Sequence, residues 1–173
     1  MASIQDRMLR AAKLDVDLYE EVEADPEAMG QATAVVVLAA LAAGIGNFTT
    51  LGLTGLVVGT LAALVGWYIW AFLTYLIGTK LLPEPETQSD VGELLRTIGF
   101  ASSPGLLRVF GVVPALGDIV FLVAGLWMLI AMVIAVRQAL DYRSTWRAVA
   151  VCGGGFVVQA LILLLVISMF ASP

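Results

Sequence analysis

Five apolar stretches, each long enough to cross a bilayer, constrain this chain more than anything else in it. They run over approximately residues 29–46, 53–82, 94–113, 116–140 and 148–170. A hydrocarbon core about 30 Å thick needs roughly 20 residues of apolar helix. Backbone inside lipid must satisfy its own hydrogen bonds, which leaves helices as the spanning element for runs of this length. The sequence therefore predicts an all-α fold: a polytopic membrane protein, a bundle of five transmembrane helices preceded by a short amphipathic helix. Composition agrees, since 60% of the 173 residues are hydrophobic and 13% are charged, with a mean hydropathy of +0.96. Soluble domains hold about 45–50% apolar residues.

The charge of −5 is concentrated in residues 1–28, an acidic cytoplasmic segment distinct from the membrane domain of residues 29–173. In this segment Arg7, Arg10 and Lys13 face eight acids: Asp6, Asp15, Asp17, Glu20, Glu21, Glu23, Asp25 and Glu27. Such a balance argues against nucleic acid and against a polybasic lipid-binding tail, and leaves a protein or a cation as the partner of this segment. Histidine is absent and Cys152 is the only cysteine. An internal disulfide, a Cys/His metal site and histidine-based catalysis are thereby excluded. No cofactor, no metal and no enzymatic activity are expected. The small residues over Leu38–Gly44 follow an acidic rather than a basic segment, so no cleaved signal peptide is expected.

Local signals place the elements. Ser3 and Asp6 have the form of a capping box ahead of a short amphipathic helix, Asp17 is read as the cap of a second, and Asp25-Pro26 opens the first span. The second run, Leu53–Leu82, is 30 residues and roughly 45 Å if wholly helical, so it must tilt, bend or protrude. The third contains Arg96, Ser102, Ser103, Pro104 and Arg108. Pro104 lacks a backbone donor and crowds the carbonyl of Phe100, which predicts a kinked or broken helix. Pro114 and Gly117 mark a tight turn before the fourth span. On this topology eight of the nine Lys and Arg residues fall on the N-terminal side and Arg108 alone on the other. The N-terminus should then be cytoplasmic and the C-terminus outside.

Several groups could carry function. Arg108 and Asp118 lie symmetrically about the hairpin between spans three and four and should meet, as a structural clamp or as an ion or substrate site. At the cytoplasmic ends Asp90 and Glu93 should approach Arg137, with Arg96 and Asp141 nearby, as a register-fixing network, a gate or a docking surface. Ser102, Ser103, Pro104, Arg108 and Gln159 could build a polar intramembrane site or hydrogen-bond between helices. Gly55, Gly59 and Gly66 give span two a small-residue face, and Gly153, Gly154 and Gly155 give span five another, for packing within the bundle or in a homo-oligomer. Trp67 and Trp70 could fill space between helices or line a cavity.

The order of these features resembles the Yip1 family. The segments LYEEVEADPEAMGQ (Leu18–Gln31), IGFASSPG (Ile98–Gly105) and AVRQALDY (Ala135–Tyr142) are similar to its prokaryotic members. The resemblance implies an integral protein of a prokaryotic plasma membrane with a membrane-organising, trafficking or assembly role. Its partners would be the lipid bilayer and another membrane protein. A small permease or an accessory subunit of a larger membrane complex are the alternatives.

Overall fold

A computed structural model describes residues 2–113 and 115–170. Among these residues the chain forms seven α-helices and no strand: α1 Ile4–Ala12, α2 Val16–Ala24, α3 Met29–Gly46, α4 Phe48–Leu76, α5 Val91–Ala101, α6 Gly117–Ala139 and α7 Thr145–Phe170. A single π turn, Ile77–Leu81, prolongs α4, and a ten-residue 3-10 segment, Ser103–Val112, follows α5. Three stretches are each long and apolar enough to cross a membrane: Pro26–Gly46, Phe48–Leu81 and Gly117–Ala139.

The ends of these elements have identifiable causes. Ser3 caps α1 as expected, but α2 is capped by Asp15, which accepts from the Asp17 amide at 3.1 Å, and not by Asp17 itself. Asp25 and Pro26 do open α3, through one 3-10 turn. The helix of the second apolar stretch starts ahead of it, at Phe48, and Gly52, at φ +60°, breaks the helical path just before Leu53, a conformation open to glycine at little cost; from Leu53 to Leu76 the helix runs without a break.

The third stretch is two pieces. At the break, the Ser103 hydroxyl donates to the Phe100 carbonyl at 2.6 Å and the Ser102 hydroxyl to the Ile98 carbonyl at 3.3 Å. These bonds satisfy carbonyls near a proline that has no N–H to offer. Eleven residues of α-helix and ten of 3-10 helix give about 37 Å at rises of roughly 1.5 and 2.0 Å per residue. That matches the neighbouring α6, about 35 Å long for its 23 residues. The 3-10 segment lies directly on α3: a Cβ at Gly46 would stand 2.1 Å from the Arg108 carbonyl oxygen, so the backbones touch there.

Burial divides the bundle across its long axis. At the N-terminal side, α1 and α2 fold back as a hairpin, α2 against α5 and α6 and α1 against α5 and the 3-10 segment, and Ala11, Leu18, Tyr19 and Val22 join one core with α3 to α7. Segment 1–28 is thus part of that core. Inside it, all eight residues from Leu94 to Ala101 are buried, including Arg96 and Thr97. At the other side the apolar residues turn outward, with Leu61 and Val65 of α4, Leu122 and Leu126 of α6, and Val157 and Leu161 of α7 all exposed. An exposed apolar band of this extent fits a lipid surround.

Candidate functional site

Two polar regions occupy the two ends of the bundle. At the hairpin end, Arg7 is 3% exposed and donates to Glu21 at 2.9 Å, Asp25 at 2.8 Å and Gln31 at 3.2 Å. Arg10 pairs with Asp15 at 2.7 Å and Glu21 at 2.6 Å. These guanidinium bonds hold the Asp15, Glu21 and Asp25 carboxyls below their ordinary range. Beside them, burial first, and then the charges of Asp141 and Glu93, push the Glu23 carboxyl up to about 8.

The expected cluster of Asp90, Glu93 and Arg137 does not form. Asp90 and Glu93 close a reciprocal capping box on the first turn of α5. Arg137 donates to the Tyr142 carbonyl at 3.2 Å instead. The reason is that α2 packs against both α5 and α6 there. Arg96 accordingly turns to α2, donating to the carbonyls of Val22, at 2.8 Å, and Glu23. Asp141, at φ +52°, terminates α6: its amide bonds the Gln138 carbonyl and the next amide bonds that of Arg137, a Schellman closure.

The second region is an open cavity of about 390 Å³ lined by residues of α3, α4, α6, α7 and the α5 to 3-10 junction. Its walls are small. Ala39, Ala40 and Ala43 form one side, and Gly55, Gly59 and Gly66 the other. Gly59 and Gly66, expected to pack helices together, have no atom within 4 Å of where a Cβ would sit. Their missing side chains are space, not contact. Gly153 is likewise open, whereas a Cβ at Gly155 would stand 3.0 Å from the Trp70 ring and one at Gly154 would lie 3.7 Å from Ile77. Trp67 and Trp70 line the cavity, and Trp67 also donates to the Leu95 carbonyl at 3.1 Å.

Of the expected polar site, Ser102, Arg108 and Gln159 line this cavity, and Asn47, which the sequence did not single out, joins them. Ser103 and Pro104 are buried in the break and Asp118 lies elsewhere. No ion pair joins Arg108 to Asp118 among the described residues, because symmetry in residue number is not symmetry in height. The five residues from Arg108 to Val112 climb about 10 Å in a 3-10 helix, a rise that takes roughly seven residues of α-helix. Arg108 therefore meets α6 beside Phe121, 5.6 Å from the ring centre, and near Gly125. Asp118 stays exposed in the first turn of α6, where a carboxylate suits the helix dipole.

Arg108 differs from every other arginine in having no hydrogen-bond or ion-pair partner among the described residues, and its buried Nε atom is unsatisfied. So is the buried Nε1 of Trp70, another lining residue. Buried polar atoms nearly always find partners; two of the three that lack one among the described residues, Arg108 Nε and Trp70 Nε1, belong to residues lining this cavity, and the third, Thr74 Oγ1, does not.

An all-helical bundle with an outward apolar band, closed at one end by a charged hairpin and hollow toward the other, defines a helical membrane protein. The Yip1 domain matches residues 16–167, most of the chain, and this protein belongs to the Yip1 family. No curated protein and no solved structure matches it.

Proposed function

We propose that this protein is a non-catalytic membrane-organising, trafficking or assembly protein, acting through lipid and protein partners. On this reading α3, α4, the α5 to 3-10 pair, α6 and α7 make five spans in a prokaryotic plasma membrane. The N-terminus is cytoplasmic, as the distribution of Lys and Arg supports. The observation that carries the reading is the hairpin. Its arginines turn inward onto Glu21, Asp25 and Asp15, while Asp6, Asp17, Glu20 and Glu27 remain exposed. An acidic face held on a rigid support suits a basic cytoplasmic partner better than a loose tail would. Gentle detergent extraction should retain a stoichiometric partner that is lost when Asp17, Glu20 and Glu27 are neutralised to amides. Recovery of the chain alone from both forms would overturn the proposal.

The cavity favours a second reading, a small permease. Proteoliposomes that show solute flux dependent on Arg108 and Gln159 would establish it, and flux-free vesicles would remove it. An accessory subunit of a larger complex would instead leave with several other chains on extraction.

A further inference from the structure

We propose that the cavity is a binding site for an anionic lipid, with its headgroup at Arg108 and an acyl chain along the small-residue walls. The site deepens the membrane-organising reading by naming a lipid partner, and it rests on that reading's placement of the bundle in a bilayer.

Charge is the first argument. Arg108 is a permanent cation, since guanidinium does not lose its proton in proteins. It has no counter-ion among the described residues, and its Nε atom is buried and unbonded. A charge held at membrane depth without a partner is costly. A phosphate or carboxylate accepting from the guanidinium would remove that cost through two parallel charge-assisted bonds. Asn47 and Gln159 line the same space and supply amide donors for a headgroup. No carboxylate lines the cavity to compete with an incoming anion.

Shape is the second argument. The walls away from Arg108 are Ala39, Ala43, Gly59, Gly66 and Met132, which offer nothing to a small hydrophilic anion but accept methylene groups. The volume of about 390 Å³ lies within the range of small-molecule sites, roughly 300–1,000 Å³, that pair apolar walls with a few polar anchors. Its lining residue Phe156 is exposed on the outside of α7, so the cavity adjoins the band that lipid covers. An amphiphile can reach it sideways from the bilayer.

The test uses the full chain, purified in a non-ionic maltoside detergent and examined by native mass spectrometry during titration. The probes are phosphatidylglycerol, phosphatidylcholine and inorganic phosphate. Phosphatidylglycerol should bind at one site at least tenfold more tightly than phosphatidylcholine, and inorganic phosphate should not compete at millimolar concentration. Arg108→Gln should weaken phosphatidylglycerol about tenfold, whereas Arg143→Gln, on an exposed cytoplasmic residue, should not. Gly59→Leu fills the cavity without touching the charge, and it should also abolish binding if Arg108→Gln proves too poorly folded to measure. Equal affinity for the two lipids, full competition by inorganic phosphate, or unchanged binding in both cavity variants would each overturn the proposal. Lipid binding that depends on Arg108 in a chain that retains no protein partner would leave this site standing and remove only the partner-docking reading.

Discussion

Arg7 and Arg108 are both largely withdrawn from water, in opposite halves of one small bundle, and they are treated in opposite ways. Arg7 is enclosed by Glu21, Asp25 and Gln31. Arg108 lines a cavity with no hydrogen-bond or ion-pair partner among the described residues. The hairpin end is a finished network in which even Asp90 and Glu93 are used, on a helix cap. The cavity end is left incomplete. A satisfied buried charge fixes a structure, while an unsatisfied one stores a cost that a ligand can relieve.

The largest test of this contrast is Arg7→Leu. It leaves Asp25 without its guanidinium and Glu21 with Arg10 alone, and should destabilise the protein by about 3 kcal/mol in detergent unfolding. Little change would mean that the hairpin is not held by this network. Next in size is the response of the hairpin to pH. Burial and neighbouring carboxylates raise the Glu23 carboxyl to about 8, so docking is favoured by its protonated form. That contribution is complete below the ordinary carboxyl range and is lost as pH rises through about 8. The hydrogen-exchange protection factors of the Val16–Ala24 amides, corrected for the intrinsic rise of exchange with pH, should fall across this window, and Glu23→Gln should flatten the response.

Arg108→Met should run against Arg7→Leu, leaving unfolding unchanged or raising stability by about 1 kcal/mol, because it deletes a half-buried charge that has no counter-ion among the described residues. A loss comparable to that of Arg7→Leu would show that Arg108 has a structural partner after all. The smallest test compares two glycines. Gly59→Ala has open space and should stabilise α4 by about 0.5 kcal/mol, whereas Gly155→Ala presses on Trp70 and should destabilise by about 1 kcal/mol.

Much of the hollow half was legible in the sequence. The bounds of α3 and the break before Pro104 follow from apolar runs and proline chemistry. Of the polar site expected from Ser102, Ser103, Pro104, Arg108 and Gln159, the cavity takes Ser102, Arg108 and Gln159. What the pattern could not carry was height. Nothing in the order of residues says that Arg108 sits on a 3-10 helix, and that extra rise moves it away from Asp118 and toward Phe121. Glycine is ambiguous for a similar reason. A small residue permits close packing or leaves a hole, and only the position of the neighbouring helix decides between them. The packing of the hairpin was the least legible part: its two short helices follow from their polar caps, but nothing in the order of residues says that Arg7 and Arg10 turn onto Asp15, Glu21 and Asp25 or that Ala11, Leu18, Tyr19 and Val22 join the core.

The enclosure of α5 also bears on the order of events during synthesis. This helix carries Arg96 and Thr97 among its buried residues and is wrapped by α1, α2, α3, α4 and α6. A segment like this gains little from lipid on its own. Its shelter is assembled from chain on both sides of it, and most of that chain, the N-terminal hairpin included, leaves the ribosome first. The hairpin, α3 and α4 are made before the helix they enclose, and α6 closes over it afterwards.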